Sequence, residues 1–65
     1  MSLRNTGYAY ARMGDYQKAQ KIIDELKALS AREFIPYSSI AMIYIAMGEK
    51  EEALNLLEKA LDERE

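Results

Sequence analysis

Residues 37–47 read YSSIAMIYIAM. At helical spacing Ile40, Ile43, Tyr44 and Met47 form one apolar stripe, and Ala41, Met42, Ile45 and Ala46 fill most of the remaining circumference. Only Ser38 and Ser39 are plainly polar. A helix apolar almost all round is buried on several sides rather than laid across a surface with one face wet. The stretch therefore predicts a central helix with neighbours before and after it, and those neighbours decide the fold.

The chain has 65 residues, a net charge of -2 and 49% hydrophobic content, the signature of one small soluble unit. Domains of about 60 residues bury only about 60% of their unfolded surface and are marginally stable. No cysteine is present for a disulfide, and without His or Cys no structural zinc site is expected. Stability has to come from efficient helix packing, from self-association or from a longer parent chain. The lack of cysteine fits a reducing compartment. No stretch is apolar and long enough to span a bilayer, and no signal peptide opens the chain. Nine basic residues spread along the sequence against eleven acidic ones give no electrostatic reason to expect nucleic acid. The expectation is a cytoplasmic protein with neither nucleic acid nor membrane as a partner.

Working outward from the central helix, Pro36 marks its start, where a missing N–H costs nothing. Gly48 ends it, and Glu49 to Glu52 bring negative charge to the start of a further helix from about Lys50 to Arg64. Its apolar residues are Ala53, Leu54, Leu56, Leu57, Ala60 and Leu61. Towards the N-terminus, residues 30–34 form a short loop or frayed turn. Before it, a helix from about Tyr16 to Leu29 carries Tyr16, Ala19, Ile22, Ile23, Leu26 and Leu29 on one broad stripe. Asp15 caps that helix. Gly14 stops a first helix, Leu3 to Met13, with Leu3, Thr6 or Gly7, Tyr10 and Met13 on one face.

The two halves repeat. Tyr10 and Tyr44, Met13 and Met47, Gly14 and Gly48, and Ala19 and Ala53 each sit 34 residues apart. Gly7 with Ala41, Asp15 with Glu49, Ile22 with Leu56 and Ile23 with Leu57 are conservative pairs in the same register. A helix–turn–helix recurring at 34 residues is the spacing of a tetratricopeptide repeat, and nearly the whole chain resembles two such repeats in tandem. The resemblance implies an all-α fold: two helix–turn–helix units, four antiparallel helices, in a short right-handed superhelix. It makes residues 1–65 a single module, with a first repeat over about 1–33 and a second over about 34–65. The second half also resembles repeats near the C-termini of multidomain bacterial signalling proteins. That leaves open an excised or engineered fragment, with Met1-Ser2-Leu3 as an artificial start, or a small stand-alone relative.

Each motif residue has a physical task. Gly7 and Ala41, with Ala19 and Ala53, are small so that paired backbones approach closely. Tyr10 and Tyr44 fill space beside the crossing, and Gly14 and Gly48 make the turns. Ala60 matches the family's small residue late in the second helix, and Leu3 and Tyr37 stand where the family often has a large aromatic. The chain departs from the pattern at Leu26 and Thr6, and at Ala31, where a proline is expected. These departures bear on the geometry between repeats rather than on the repeat itself.

An active site needs convergent titratable groups in matched geometry. Without His or Cys the candidates are carboxylates, lysines and tyrosines, and the carboxylates fall on solvated helix faces. Gly7, Gly14 and Gly48 are repeat punctuation, not a phosphate loop. The four methionines fill core and groove. The chain is expected to be no enzyme and to hold no cofactor and no metal. An enzyme would remain an option only if a partner domain were missing from the chain.

The resemblance implies instead a concave surface lined by the first helix of each unit. In the family's register Arg4, Tyr8, Ala11 and Arg12 line it in the first unit, and Ser38, Met42, Ile45 and Ala46 in the second. Relatives that grip a peptide's terminal carboxylate use asparagines where this chain has Tyr8 and Met42, so that clamp is not carried over. Arg4 and Arg12 suit an acidic group; the plain alternative is that both are merely solvated. Met42 and Ile45 would leave an apolar patch in the groove, which signals a partner surface. One expectation is thus a scaffold that binds a protein or peptide. The other is a structural self-assembly module. Repeat units need about three neighbours to bury their faces, and without a polar capping helix Leu54, Leu57 and Leu61 stay partly uncovered. A homo-oligomer would cover them by stacking ends or by exchanging helices across the hinge at residues 30–34.

Overall fold

The computed structural model describes residues 3–63. Four helices follow one another: α1 (Leu3–Arg12), α2 (Tyr16–Leu29), α3 (Tyr37–Ala46) and α4 (Lys50–Asp62). No strand occurs among the described residues. Arg64, the expected end of the fourth helix, lies outside the described residues, as do Met1 and Ser2. α1 and α2 pack as one hairpin and α3 and α4 as a second, which are the two helix–turn–helix units expected.

The first turn shows why a 34-residue repeat keeps its glycine. The Gly14 N–H donates to Ala11 O at 3.1 Å and the Asp15 N–H to Tyr10 O at 2.9 Å, which satisfies the last carbonyls of α1. That closure needs a left-handed residue, and Gly14 has φ 85°. The second turn repeats the geometry, with Gly48 at φ 84° and the Glu49 N–H donating to Tyr44 O at 2.9 Å. Asp15 then opens α2, its Oδ1 accepting from the Lys18 N–H at 3.3 Å. A Cβ at Gly14 would meet nothing within 4 Å, so only the backbone resists a side chain there. Gly14→Ala should accordingly cost about 1 kcal/mol, the left-handed penalty of an L-residue. An unchanged urea midpoint would contradict that account.

α3 is the pivot. It packs on α1, α2 and α4, whereas among the described residues α4 packs on α3 alone. Ile23, Ile40 and Ile43 are the largest fully buried side chains, joined in the core by Ala11, Ala19, Leu26, Ala41, Tyr44 and Ala53. Gly7 marks the closest approach of three helices. A Cβ there would lie 2.6 Å from Ile22 Cγ2 and 2.8 Å from Ile43 Cδ1. Polar groups stitch the two hairpins together as well. Lys27 Nζ donates to Tyr44 Oη at 3.1 Å and sits 5.4 Å from the ring centroid, joining α2 to α3.

Several details differ from the expected pattern. Met13 and Tyr16 were assigned to apolar stripes, yet both are exposed. They flank the Gly14 turn at the hairpin tip, where the packed length of the two helices ends. Ser39 is buried although polar, at 7% exposure. Pro36 stands just outside α3 as its N-cap, with its carbonyl accepting from the Ser39 N–H at 3.0 Å. The connector begins as a hydrogen-bonded turn, the Arg32 and Glu33 N–H groups both donating to Leu29 O. Ile35 then packs against the core while Phe34 stays exposed.

Candidate protein-interaction surfaces

α1 and α3 lie side by side and leave a groove between them of about 520 Å³. Its lining consists of Arg4, Asn5, Tyr8, Ser38, Ser39 and Met42. These are three repeat-equivalent pairs, since Arg4 and Ser38, Asn5 and Ser39, and Tyr8 and Met42 are each 34 residues apart. The groove is thus what two copies of one helix face build when set side by side. Arg4 Nη1 reaches across it to Ser39 Oγ at 3.5 Å, at the outer limit of a hydrogen bond. Arg12 Nη1 donates to Tyr8 Oη at 3.3 Å, and its guanidinium carbon sits 5.9 Å from the Tyr8 ring centroid. No acidic residue is part of the lining. Among the described residues neither arginine is ion-paired with a carboxylate.

The sequence-predicted groove residues do not all share this site. Arg4, Tyr8, Ser38 and Met42 are brought together. Arg12 joins them through Tyr8. Ile45 lies elsewhere: it lines a separate, smaller cleft of about 300 Å³ with Lys50, Ala53, Leu54 and Leu57, between α3 and α4. It thereby joins two of the three residues assigned to the end of the molecule. Leu61, the third, is 79% exposed and is not part of that cleft's lining. Ala11 does not line the groove but is buried in the core, which leaves Tyr8 as the groove-lining residue of that part of α1, with Arg12 against its ring. Asn5 and Ser39 also line the groove, outside the set expected from the sequence. Their 34-residue spacing was the available signal, but an Asn–Ser pair does not stand out as a repeat match.

A third concavity of about 650 Å³ runs along the opposite side, where α2 and α4 diverge over α3. Lys27 and Lys59 stand there with Glu52, Glu58 and Asp62, so both signs line it with one carboxylate in excess. No group of three or more His, Cys, Asp or Glu residues suited to a metal ion occurs among the described residues. No helix among them is long and apolar enough to cross a membrane.

Comparison with known proteins agrees with this architecture. Residues 2–30 match one family model and residues 37–65 match another, each described as a tetratricopeptide repeat. A pentatricopeptide repeat-containing protein of Arabidopsis thaliana is 34% identical over 68 aligned residues, covering 97% of this chain. The chain spans about 12% of that protein's length. No solved structure matches the chain. Two hairpins in one register, each matched by a repeat model over its own helices, make this chain a member of the tetratricopeptide repeat family with two tandem repeats.

Proposed function

We propose that the chain is a non-catalytic protein-interaction module that takes a peptide or a segment of a partner domain into the α1–α3 groove, and that it also associates with itself. The observation that carries the groove reading is its charge. A chain of net charge -2 lines it with the Arg4 guanidinium and no carboxylate, and the Arg12 guanidinium sits against Tyr8 at its edge. Arginine forks favour planar carboxylates, and the Tyr8 ring and Met42 supply an apolar floor between them.

The spacing narrows the ligand. Arg4 and Arg12 are eight residues apart on one helix, hence about 12 Å along its axis, with Tyr8 midway. An extended peptide advances about 3.3 Å per residue and returns to the same face every second residue. Two acidic side chains four residues apart would then meet the two arginines, and an apolar side chain midway between them would rest on Tyr8 and Met42. A calorimetric titration should find micromolar binding for peptides of the pattern acidic–x–apolar–x–acidic. Lysine in place of the acidic residues should weaken binding by about tenfold or more, since each charge-assisted hydrogen bond is worth about 1.5–3 kcal/mol. The double change Arg4→Ala and Arg12→Ala should abolish the preference. Equal responses to acidic and basic peptides, or none to either, would overturn the groove reading.

Self-association is supported by a different observation. Ile45 at 52% and Leu54 at 58% exposure share one cleft with Leu57, and Leu61 lies exposed further along α4. A contiguous apolar surface of this kind on a small protein marks an interaction site.

A further inference from the structure

The 34-residue register allows each exposed residue at the C-terminal end to be compared with its buried equivalent inside the molecule. Ala11 and Ile23 are buried in the core cluster that also holds Ile40 and Ile43 of α3. Their equivalents Ile45 and Leu57 line the α3–α4 cleft. Leu26 is buried and its equivalent Ala60 is half-buried. The α1–α2 hairpin receives α3 on the first set of positions, so the α3–α4 hairpin offers a helix of the same kind the second set.

The receiving set has also changed in bulk. Ala11 becomes Ile45 and Lys27 becomes Leu61, each adding apolar volume or removing polarity, Leu54 stands beside them where the first unit has Gln20, and Leu26 alone becomes smaller, as Ala60. The incoming helix changes in the opposite sense. Ile40 and Ile43, by which α3 enters the core, correspond to Thr6 and Ala9 on α1. Ala9 is exposed, and Met13, the equivalent of Met47, is exposed beside it. Inside the molecule a large incoming face meets a small receiving one. At its two ends a small α1 face is matched by a large α3–α4 face. Packing tolerates such redistribution when the summed volume is kept. The polar Lys27–Tyr44 contact of the internal joint is replaced, in the same register, by Leu61 against Tyr10.

We infer that a second copy of this chain docks head to tail, its α1 lying on the α3–α4 surface in the place that α3 takes on α1 and α2. The inference deepens the self-association reading and rests on it. It adds which two faces meet, and with that the kind of assembly. The faces are different, so a docked pair still has one of each exposed, and growth continues past a dimer into a ring or a filament. An isologous pairing would instead set Ile45, Leu54 and Leu57 against their own kind.

Two obstructing variants test this. Leu54→Glu blocks the receiving face and Ala9→Glu the incoming one, both at exposed positions, so each variant should keep wild-type helicity and melting behaviour in dilute solution. Sedimentation of the wild-type chain should show mass rising with concentration without a plateau at two copies. Each variant alone should associate on the order of 100-fold more weakly, because an unpaired carboxylate would be buried in an apolar joint. An equimolar mixture should form a discrete pair and nothing larger, since only one intact face of each kind remains. If Leu54→Glu abolishes association and Ala9→Glu does not, like faces pair and the head-to-tail arrangement is wrong, while self-association stands. A wild-type plateau at two copies with neither variant impaired points to helix exchange and overturns it too. A wild-type monomer at every concentration removes the self-association reading itself.

Discussion

Ile43→Ala is expected to lower the melting temperature by roughly 10–30 °C and to leave much of the population unfolded near 37 °C. Ile43 has 0% exposure and lies on the helix that touches all three others. Truncating such a side chain costs about 2–5 kcal/mol, the lost transfer energy plus the cavity left behind. Against this stands a total stability of about 0.05–0.15 kcal/mol per residue, and a domain of this size belongs near the lower end. The cost is therefore comparable to the whole. Ile45→Ala is the matching control, the same chemical change two residues along the same helix. At 52% exposure it should shift stability by no more than about 1 kcal/mol. Thermal circular dichroism at low micromolar concentration compares the two without a contribution from association. Similar shifts for both would mean that α3 is not the pivot described.

The second large effect belongs to Gly7, where two terms of opposite sign compete. Alanine is favoured over glycine inside a helix by about 1 kcal/mol. The new Cβ, however, would lie 2.6 Å from Ile22 Cγ2 and 3.1 Å from Ile22 Cβ. The Cβ is anchored to the backbone of α2, so this contact is relieved only by moving α1 and α2 apart. The 2.8 Å contact with Ile43 Cδ1 is softer, being the end of a side chain that can turn. Overpacking of a core costs about 1–3 kcal/mol and here outweighs the propensity gain. Gly7→Ala should lose about 1 kcal/mol net, and Gly7→Leu should go to the top of that range or past it. Combining Gly7→Ala with Ile22→Ala separates strain from propensity, because the double variant should be more stable than the sum of its parts by about 1 kcal/mol. Gly7→Ala as stable as the wild type in urea would show that opening the hairpin costs no more than the about 1 kcal/mol that helix propensity returns.

The parts of the fold that were legible in the sequence were those with a local cause. Gly14 and Gly48 stop helices because a single residue must turn left-handed, and Asp15 caps α2 from the adjacent position. The repeat was legible because Tyr10 and Tyr44, with the paired glycines and alanines, keep one spacing. Less legible were features created by residues far apart in the chain. Ser39 reads as a solvent-facing polar residue until α1 is laid beside α3 and Arg4 is brought to its hydroxyl, 35 positions away. Periodicity marks which face of a helix is apolar, but not which of two neighbouring concavities an exposed residue enters. Ile45 is three residues from Met42 on the same helix, yet it lies with Leu54 and Leu57. The same ambiguity placed Ala11 in the groove, where one helical step decides between floor and core.

α4 rests on α3 alone, whereas α3 is gripped from three sides. Native proteins open in cooperative pieces, and the piece with the fewest packed neighbours opens at the smallest cost in free energy. In this chain the last helix has one packed neighbour, so its order depends on the single joint with α3. Leu54, Leu57 and Leu61, three of the four residues of the apolar end surface, belong to that helix. Anything that settles across α3 and α4 together therefore does two things at once: it covers apolar area, and it suppresses the motion that would dismantle its own landing place. Recognition at that end is tied to local order, and a contact there reinforces the one joint that holds α4.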